Sequence, residues 1–150
     1  MTPKEYLSQY RTLDVEINSK LEQVAQLRAL AAKVSPSTGF GAAGGISDRV
    51  GKTVAKIIDL ENEINDDIDK LVELKREIRH ILNSIPNSIY RNVLEMRYFL
   101  GMDWEEIGEK IGYSPRQTIR FHGYALALIE KMSQFVLECH GKSVYNDIVR

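Results

Sequence analysis

Cysteine is nearly absent from this chain: Cys139 stands alone among 150 residues. No intrachain disulfide can form, so the fold must rest on packing, and a reducing, cytoplasmic setting is expected. No apolar run approaches the roughly 20 residues needed to cross a bilayer, and no membrane partner is expected. The start, MTPKEYLSQYRTLD, lacks the apolar core of a secretory signal. Charge of one sign is lacking as well. Twenty Lys and Arg face 21 Asp and Glu, for a net charge of −1. That excludes a strongly basic protein that gathers polyanions by its overall field, and any nucleic-acid contact must use a local basic face. At 43% hydrophobic and 27% charged residues the chain is too apolar for full disorder. Its length suits one domain or two small ones.

Catalytic and metal-binding patterns are missing too. Gly45 to Thr53 approaches a phosphate-binding loop, but five residues separate Gly45 from Gly51 where the motif has four, and no strand pattern precedes it. Gly51-Lys52-Thr53 is therefore read as a helix start. Asp59, Glu61, Glu63, Asp66, Asp67 and Asp69 lack the glycine and ligand spacing of a calcium loop and are expected on a solvated helix face. His80 is isolated, His122 is expected to be partly buried, and Cys139-His140 lacks the paired spacing of a zinc site. No nucleophile sits in a recognisable local motif. Neither an enzyme, a metal site nor a cofactor is expected.

Helical periodicity is abundant. Tyr10, Leu13, Ile17, Val24, Leu27, Ala31 and Val34 follow a heptad-like 3-4 alternation that Lys20 interrupts, with Leu21 as a partial substitute. The glycine-rich segment 35–48 reads as a connection, with Ser47 or Asp48 capping the next helix. Val50, Val54, Ile57, Ile64, Ile68, Leu71, Ile78 and Ile85 form a second stripe, widened by Leu60, Leu74 and Ile81. Residues 1–85 thus read as a long helical hairpin whose heptad seam could be shared between two subunits, giving a homodimer.

Residues 86–140 are punctuated more densely. Pro86 suits a first helical turn, and Gly101 is placed to end the helix carrying Ile89, Val93, Met96 and Leu100. Asp103 with Glu106 forms a capping-box start, and Gly112 closes that short helix. Ser114, Pro115 and Gln117 supply a further cap, a proline at the first helical position and a box partner. Gly108 and Gly112, four apart, are expected where two helices cross, with Ile107 and Ile111 facing inward. Thr118, Phe121, Ala125 and Leu128 would be buried. Trp104, Tyr90, Tyr98 and Phe99 read as core and rim. The exposed face of the last helix then carries Arg116, Gln117, Ile119, Arg120 and Gly123. No acidic residue occurs between Lys110 and Ile129. Three capped helices with short breaks are what a helix-turn-helix requires. In that fold Arg116, Gln117 and Arg120 would read base edges, Ile119 a thymine methyl, and Lys110 and Ser114 phosphates. Gly141 is expected to end the last helix, leaving 141–150 as a tail.

The run LEMRYFLGMDWEEIGEKIGYSPRQTIRFHGYAL resembles the fourth, promoter-binding region of bacterial sigma factors. More closely, RYFLGMDWEEIGEKIGYSPRQTIRFHGYAL resembles the C-terminal part of small transcriptional regulators of temperate phages, the ArpU and RinA-like group. The resemblance implies promoter-proximal binding of double-stranded DNA and control of phage or mobile-element genes in the cytoplasm of a bacterial host, with activation the expected sign. Gly108 stands where that pattern has alanine, and Thr118 where a β-branched apolar residue is common. The promoter-melting regions of a sigma factor are missing, which argues against a complete one. The expected fold is all-α, a helical hairpin followed by a sigma-like helix-turn-helix. Two other functions fit: a small-terminase-like DNA-packaging subunit, and an adaptor that engages RNA polymerase through the sigma-like unit.

Overall fold

The computed structural model describes residues 1–33 and 43–147, with side chains for 1–33 and 48–133. Among these the chain is all-α, with five helices: α1 (Pro3–Lys33), α2 (Ala43–Asn83), α3 (Ser88–Tyr98), α4 (Trp104–Ile111) and α5 (Pro115–Asp147). None is long and apolar enough to cross a membrane. Val34 and residues 35–42 of the connection expected at 35–48 lie outside the described residues, as do the side chains of Cys139 and His140.

Two compact units emerge, Thr12–Glu73 and a second made of Met1–Arg11 with Leu74–Arg150. The division therefore falls inside both long helices, not at residue 85.

In the unit Thr12–Glu73, α1 and α2 pair antiparallel, since Lys20 meets Asp67 while Arg28, farther along α1, meets Glu61, farther back on α2. Ile17, Val24 and Ile64 are buried at the centre, with Leu13, Ile57, Leu60 and Leu71 packed around them. The α1 stripe is the one its 3-4 spacing predicts. Ile17 and Val24 of that stripe pack within the chain against Ile64, while Leu27 and Ala31 are half-buried. On α2 the inward positions are Val50, Thr53, Ile57, Leu60, Ile64, Asp67 and Leu71, an unbroken 3-4 series. Val54 and Ile68, expected in the seam, are exposed. A helix seam follows angular position, and Thr53 and Asp67 hold that position regardless of polarity.

Lys20 does not break the seam. Its Nζ lies 2.6 Å from Asp67 Oδ2 and 3.5 Å from Glu63 Oε2, while Leu21, its expected substitute, is exposed. Asp67 is thus not on the solvated acidic face, although Asp59, Glu63, Asp66 and Asp69 are. The hydrogen bond to Lys20 holds the Asp67 carboxyl below its usual range, and the same bond raises the Lys20 ammonium. A polar pair at one seam position fixes the register of the two helices, because sliding either by one heptad would leave a charge among apolar side chains.

One boundary of each of the helices α2 and α5 differs from expectation. Helix α2 begins at Ala43, so no cap falls at Ser47 or Asp48, and Gly51-Lys52-Thr53 lies inside it. Helix α5 runs through Gly141 to Asp147. Glycine lowers helix propensity by about 1 kcal/mol, which the rest of a long helix overrides. A further cap lies at the amino end, where Thr2 and Glu5 exchange bonds: Glu5 N–H donates to Thr2 Oγ1 at 3.3 Å and Thr2 N–H to Glu5 Oε2 at 2.8 Å.

Replacing Asp67 alone with alanine should lower the melting temperature, since Lys20 is then left in the seam without its main partner. Replacing Lys20 and Asp67 together with leucine should restore or raise it. Thermal unfolding followed by circular dichroism checks both, and a double variant less stable than Asp67→Ala would show that the pair is not a seam element.

Candidate nucleic-acid interface

The second unit is built around side chains buried to nearly complete exclusion of water: Leu7 from α1, Ile78 and Leu82 at the end of α2, Ile85 in the turn after it, Val93 and Leu94 from α3, Ile107 from α4 and Thr118 from α5. Each aliphatic member contributes about 1.5–3 kcal/mol of transfer free energy. Helix α3 is capped by Asn87, whose Oδ1 accepts from Ile89 N–H at 2.9 Å. Pro86 therefore precedes the cap and does not sit in the first turn, as its residue type suggested. Gly101, left-handed at φ 66°, follows the end of α3, with the Met102 N–H donating to Met96 O. The Arg11 guanidinium lies against its α carbon.

Helix α4 starts as its sequence predicts. Asp103 Oδ1 accepts from Glu106 N–H at 2.9 Å, and Glu106 Oε2 accepts from Asp103 N–H at 3.0 Å. Gly112 closes it at φ 77°. The next cap is Ser114, whose hydroxyl accepts from Gln117 N–H at 3.2 Å while its carbonyl accepts from Thr118 N–H and Oγ1–H.

The two glycines have different tasks. A methyl group on Gly108 would stand 2.6 Å from Tyr113 O and 3.3 Å from Thr118 Oγ1, so the absence of a side chain there lets α5 and its turn close on α4. Gly112 has open space around its α carbon and is required only for its left-handed backbone. The expectation that both glycines serve the crossing holds for Gly108 alone.

This closure sets the faces of α5. Thr118, His122, Ala125 and Ile129 point inward, with Phe121 and Leu128 half-buried; His122 and Ile129 thus take a larger share of the inner face than the expected stripe allowed. Arg116, Ile119, Arg120 and Gly123 are exposed together on the first turns, with Gln117 half-exposed beside them. Lys110, in the last turn of α4, is exposed, and so is Ser114. The structure thus brings the six expected DNA-contacting residues to the α4–α5 turn and the start of α5. Sequence reasoning missed three neighbours. Tyr113, edge-on to Phe121 at 4.8 Å, and Tyr124 are both exposed. Lys4, from the first turn of α1, lines a shallow groove with Gly123 and Leu126. Tyr124 could have been found by projecting α5 on a wheel, whereas Tyr113 sits in the turn before that helix and nothing local connects Lys4 to α5.

A family model described as a protein of unknown function (DUF1492) matches residues 35–130, a span covering α2, α3, α4 and the first half of α5. The chain belongs to that family. No curated protein and no solved structure matches it.

Within the DUF1492 span, the packing behind the exposed face of α5 holds a polar contact. The Tyr98 hydroxyl and His122 Nε2 share a hydrogen bond at 2.9 Å. Trp104 lies edge-on to the imidazole at 4.9 Å, and the Arg97 guanidinium covers the indole face at 4.4 Å. Trp104 is thus packing, as expected. Arg97 also donates to Met102 O at 2.9 Å. Burial, reinforced by the cations of Lys4 and Arg97, pushes the His122 imidazole down to about 4, so it is neutral near pH 7. Among the described residues no cluster of His, Cys, Asp or Glu could hold a metal ion.

Two outcomes follow. Gly108→Ala should destabilise by about 1–3 kcal/mol through overpacking, and Gly112→Ala by about 1–2 kcal/mol through backbone strain alone. Gly112→Asn should recover most of the second loss, because asparagine tolerates the left-handed region, and urea titration reads all three. His122 has its folded value below its unfolded one, so the unfolded chain binds the extra proton between about pH 6.5 and 4. The stability it contributes is complete above that window and lost as pH falls through it. The melting temperature of wild type should therefore drop more steeply from pH 7 to 4.5 than that of His122→Gln. Parallel curves would show that His122 is not held neutral in the fold.

Proposed function

We propose that this DUF1492 chain is a sequence-specific DNA-binding regulator of transcription, in which α4, the Gly112–Ser114 turn and α5 act as a helix-turn-helix with α5 as the recognition helix. The observation that carries the reading is the grouping of exposed Arg116, Ile119 and Arg120, with half-exposed Gln117 beside them, on the first two turns of α5. It lies in a stretch from Lys110 to Ile129 without a single acidic residue, although the chain as a whole is slightly acidic. The first turns of a recognition helix are the part that reaches base edges in the major groove. Arginine makes bidentate contacts to guanine, and glutamine to adenine. Lys110 and the free donor of the Ser114 hydroxyl then serve the flanking phosphates, which position the helix without reading sequence. Tyr113 and Tyr124 add phenolic donors at the edge of the same face. The resemblance to sigma-factor and phage-regulator motifs supports a promoter-proximal site and activation of phage or mobile-element genes.

Selection of bound duplexes from a random pool by the purified chain should return a defined motif. On that site Gln117→Ala or Arg120→Ala should cost about 1–3 kcal/mol and relax preference at one base pair. Lys110→Ala should weaken cognate and scrambled duplexes alike and flatten the salt dependence. If Arg116, Gln117 and Arg120 can all become alanine without changing the cognate-to-scrambled ratio, α5 does not read DNA. Retention of RNA polymerase by that triple variant would then favour the adaptor reading.

A further inference from the structure

With the α1–α2 seam occupied internally, α2 still carries a second apolar stripe on an outer face. Val54, Ile58, Ile68 and Val72 are 39–62% exposed, although β-branched side chains of this kind seldom face water in such a series. With Glu61 and Asn65 they form the series 54, 58, 61, 65, 68, 72, whose 4-3-4-3-4 steps at 100° per residue keep all six within about 80° of arc. This is the spacing of a helix-packing seam. Leu21 enlarges it. Arg28 pairs with Glu61, and the antiparallel register then puts Leu21, also exposed, level with Ile68 one heptad away on each helix.

The order of residues along the stripe says what covers it. Read in either direction it is β-branched, β-branched, polar, polar, β-branched, β-branched: Val, Ile, Glu, Asn, Ile, Val. The positions are mirrored about residue 63. An antiparallel copy laid along this face puts Val54 against Val72, Ile58 against Ile68, and Glu61 against Asn65, whose amide can donate to the carboxylate. A surface complementary to its own reverse is the requirement for an isologous two-fold contact. Lys56 and Lys70, which the same two-fold would bring opposite each other, lie on the far side of the helix. The stripe spans about 27 Å. Its five apolar residues, Leu21 included, form two groups on either side of Glu61 and Asn65 and together expose on the order of 400 Å². That is about half of the roughly 800 Å² per partner in a standard specific interface, with the polar flanks of both helices available for the rest.

We propose that the occupant of this face is a second copy of the chain, docked antiparallel along α2 through Val54, Ile58, Ile68 and Val72. The proposal concerns residues of Thr12–Glu73 alone and is tested without DNA, so it stands or falls separately from the DNA-binding reading. Sedimentation of the full chain at tens to hundreds of micromolar should give the mass of two chains, and Ile58→Glu with Ile68→Glu the mass of one. Both side chains are exposed, so the variant should keep its helical circular dichroism. In a Cys139→Ser background, a short bis-maleimide should join Val54→Cys to Val72→Cys when the two variants are mixed. Either variant alone should not be joined, because its own copies lie about 27 Å apart along the helix axis. The cross-link decides the matter if the double variant unfolds. A monomeric wild type, a dimer that survives both glutamates in a folded chain, or cross-linking of Val54→Cys to itself would overturn the proposal.

Discussion

The presentation of α5 depends on a contact with no side chain on one side of it. Gly108 meets the Tyr113 backbone directly, and its own carbonyl accepts from both Gly112 N–H at 2.9 Å and Tyr113 N–H at 3.0 Å. One residue thereby ends α4, anchors the turn and sets the distance to Thr118. Every exposed residue on the first turns of α5 inherits its direction from this closure, because Pro115 enters the helix immediately after the turn. The crossing is stiff for a simple reason. Backbone atoms cannot adopt another rotamer to make room, as a flexible side chain could. A larger residue at 108 must move α5 as a body.

The Thr12–Glu73 unit solves a different problem, which is uniqueness of register. Two long helices with 3-4 apolar seams can slide by a heptad at little cost in buried area. The Lys20–Asp67 pair removes that freedom, and the Arg28–Glu61 pair on the rim repeats the same alignment. Polar residues in the seam lower its apolar content and make the pairing specific. The consequence reaches the outer face. Once register is fixed, the exposed stripe on α2 keeps one position relative to α1.

Legibility in the sequence followed the range of the interactions. The start of α4 could be read to the residue, because a capping box is complete within four positions and Asp103 and Glu106 need nothing else. Gly112 could be read for the same reason. The Lys20–Asp67 pair could not, since its partners are 47 residues apart and each looks like an interruption in its own helix. Counting only apolar residues then moved the α2 seam onto Val54 and Ile68, one position beyond Thr53 and Asp67. The beginning of α2 at Ala43 shows the opposite error, in which local glycine content was given more weight than a long helix concedes to it. Lys4 reaches the groove beside Gly123 through tertiary packing alone.

The scarcity of cations at the proposed interface ties the two units together functionally. Lys110, Arg116, Arg120 and Lys4 are four positive groups per chain, on a molecule whose net charge is −1. Each phosphate neutralised contributes about 0.9 to the slope of log affinity against log salt, so four contacts give a single chain only weak, salt-labile non-specific binding. If the chain is the DNA-binding regulator proposed, so small an electrostatic share would require affinity from base contacts or from engaging two sites at once. Joining two chains through α2 would do the latter, since the second contact then forms at an effective concentration that short linkages raise to about the millimolar range. On the proposed reading specificity would benefit as well: a lone chain on random duplex would dissociate readily, and only a paired site would retain both copies. Low net charge in a DNA-binding protein is then consistent with selective occupancy, provided that the exposed stripe on α2 is where the chains meet.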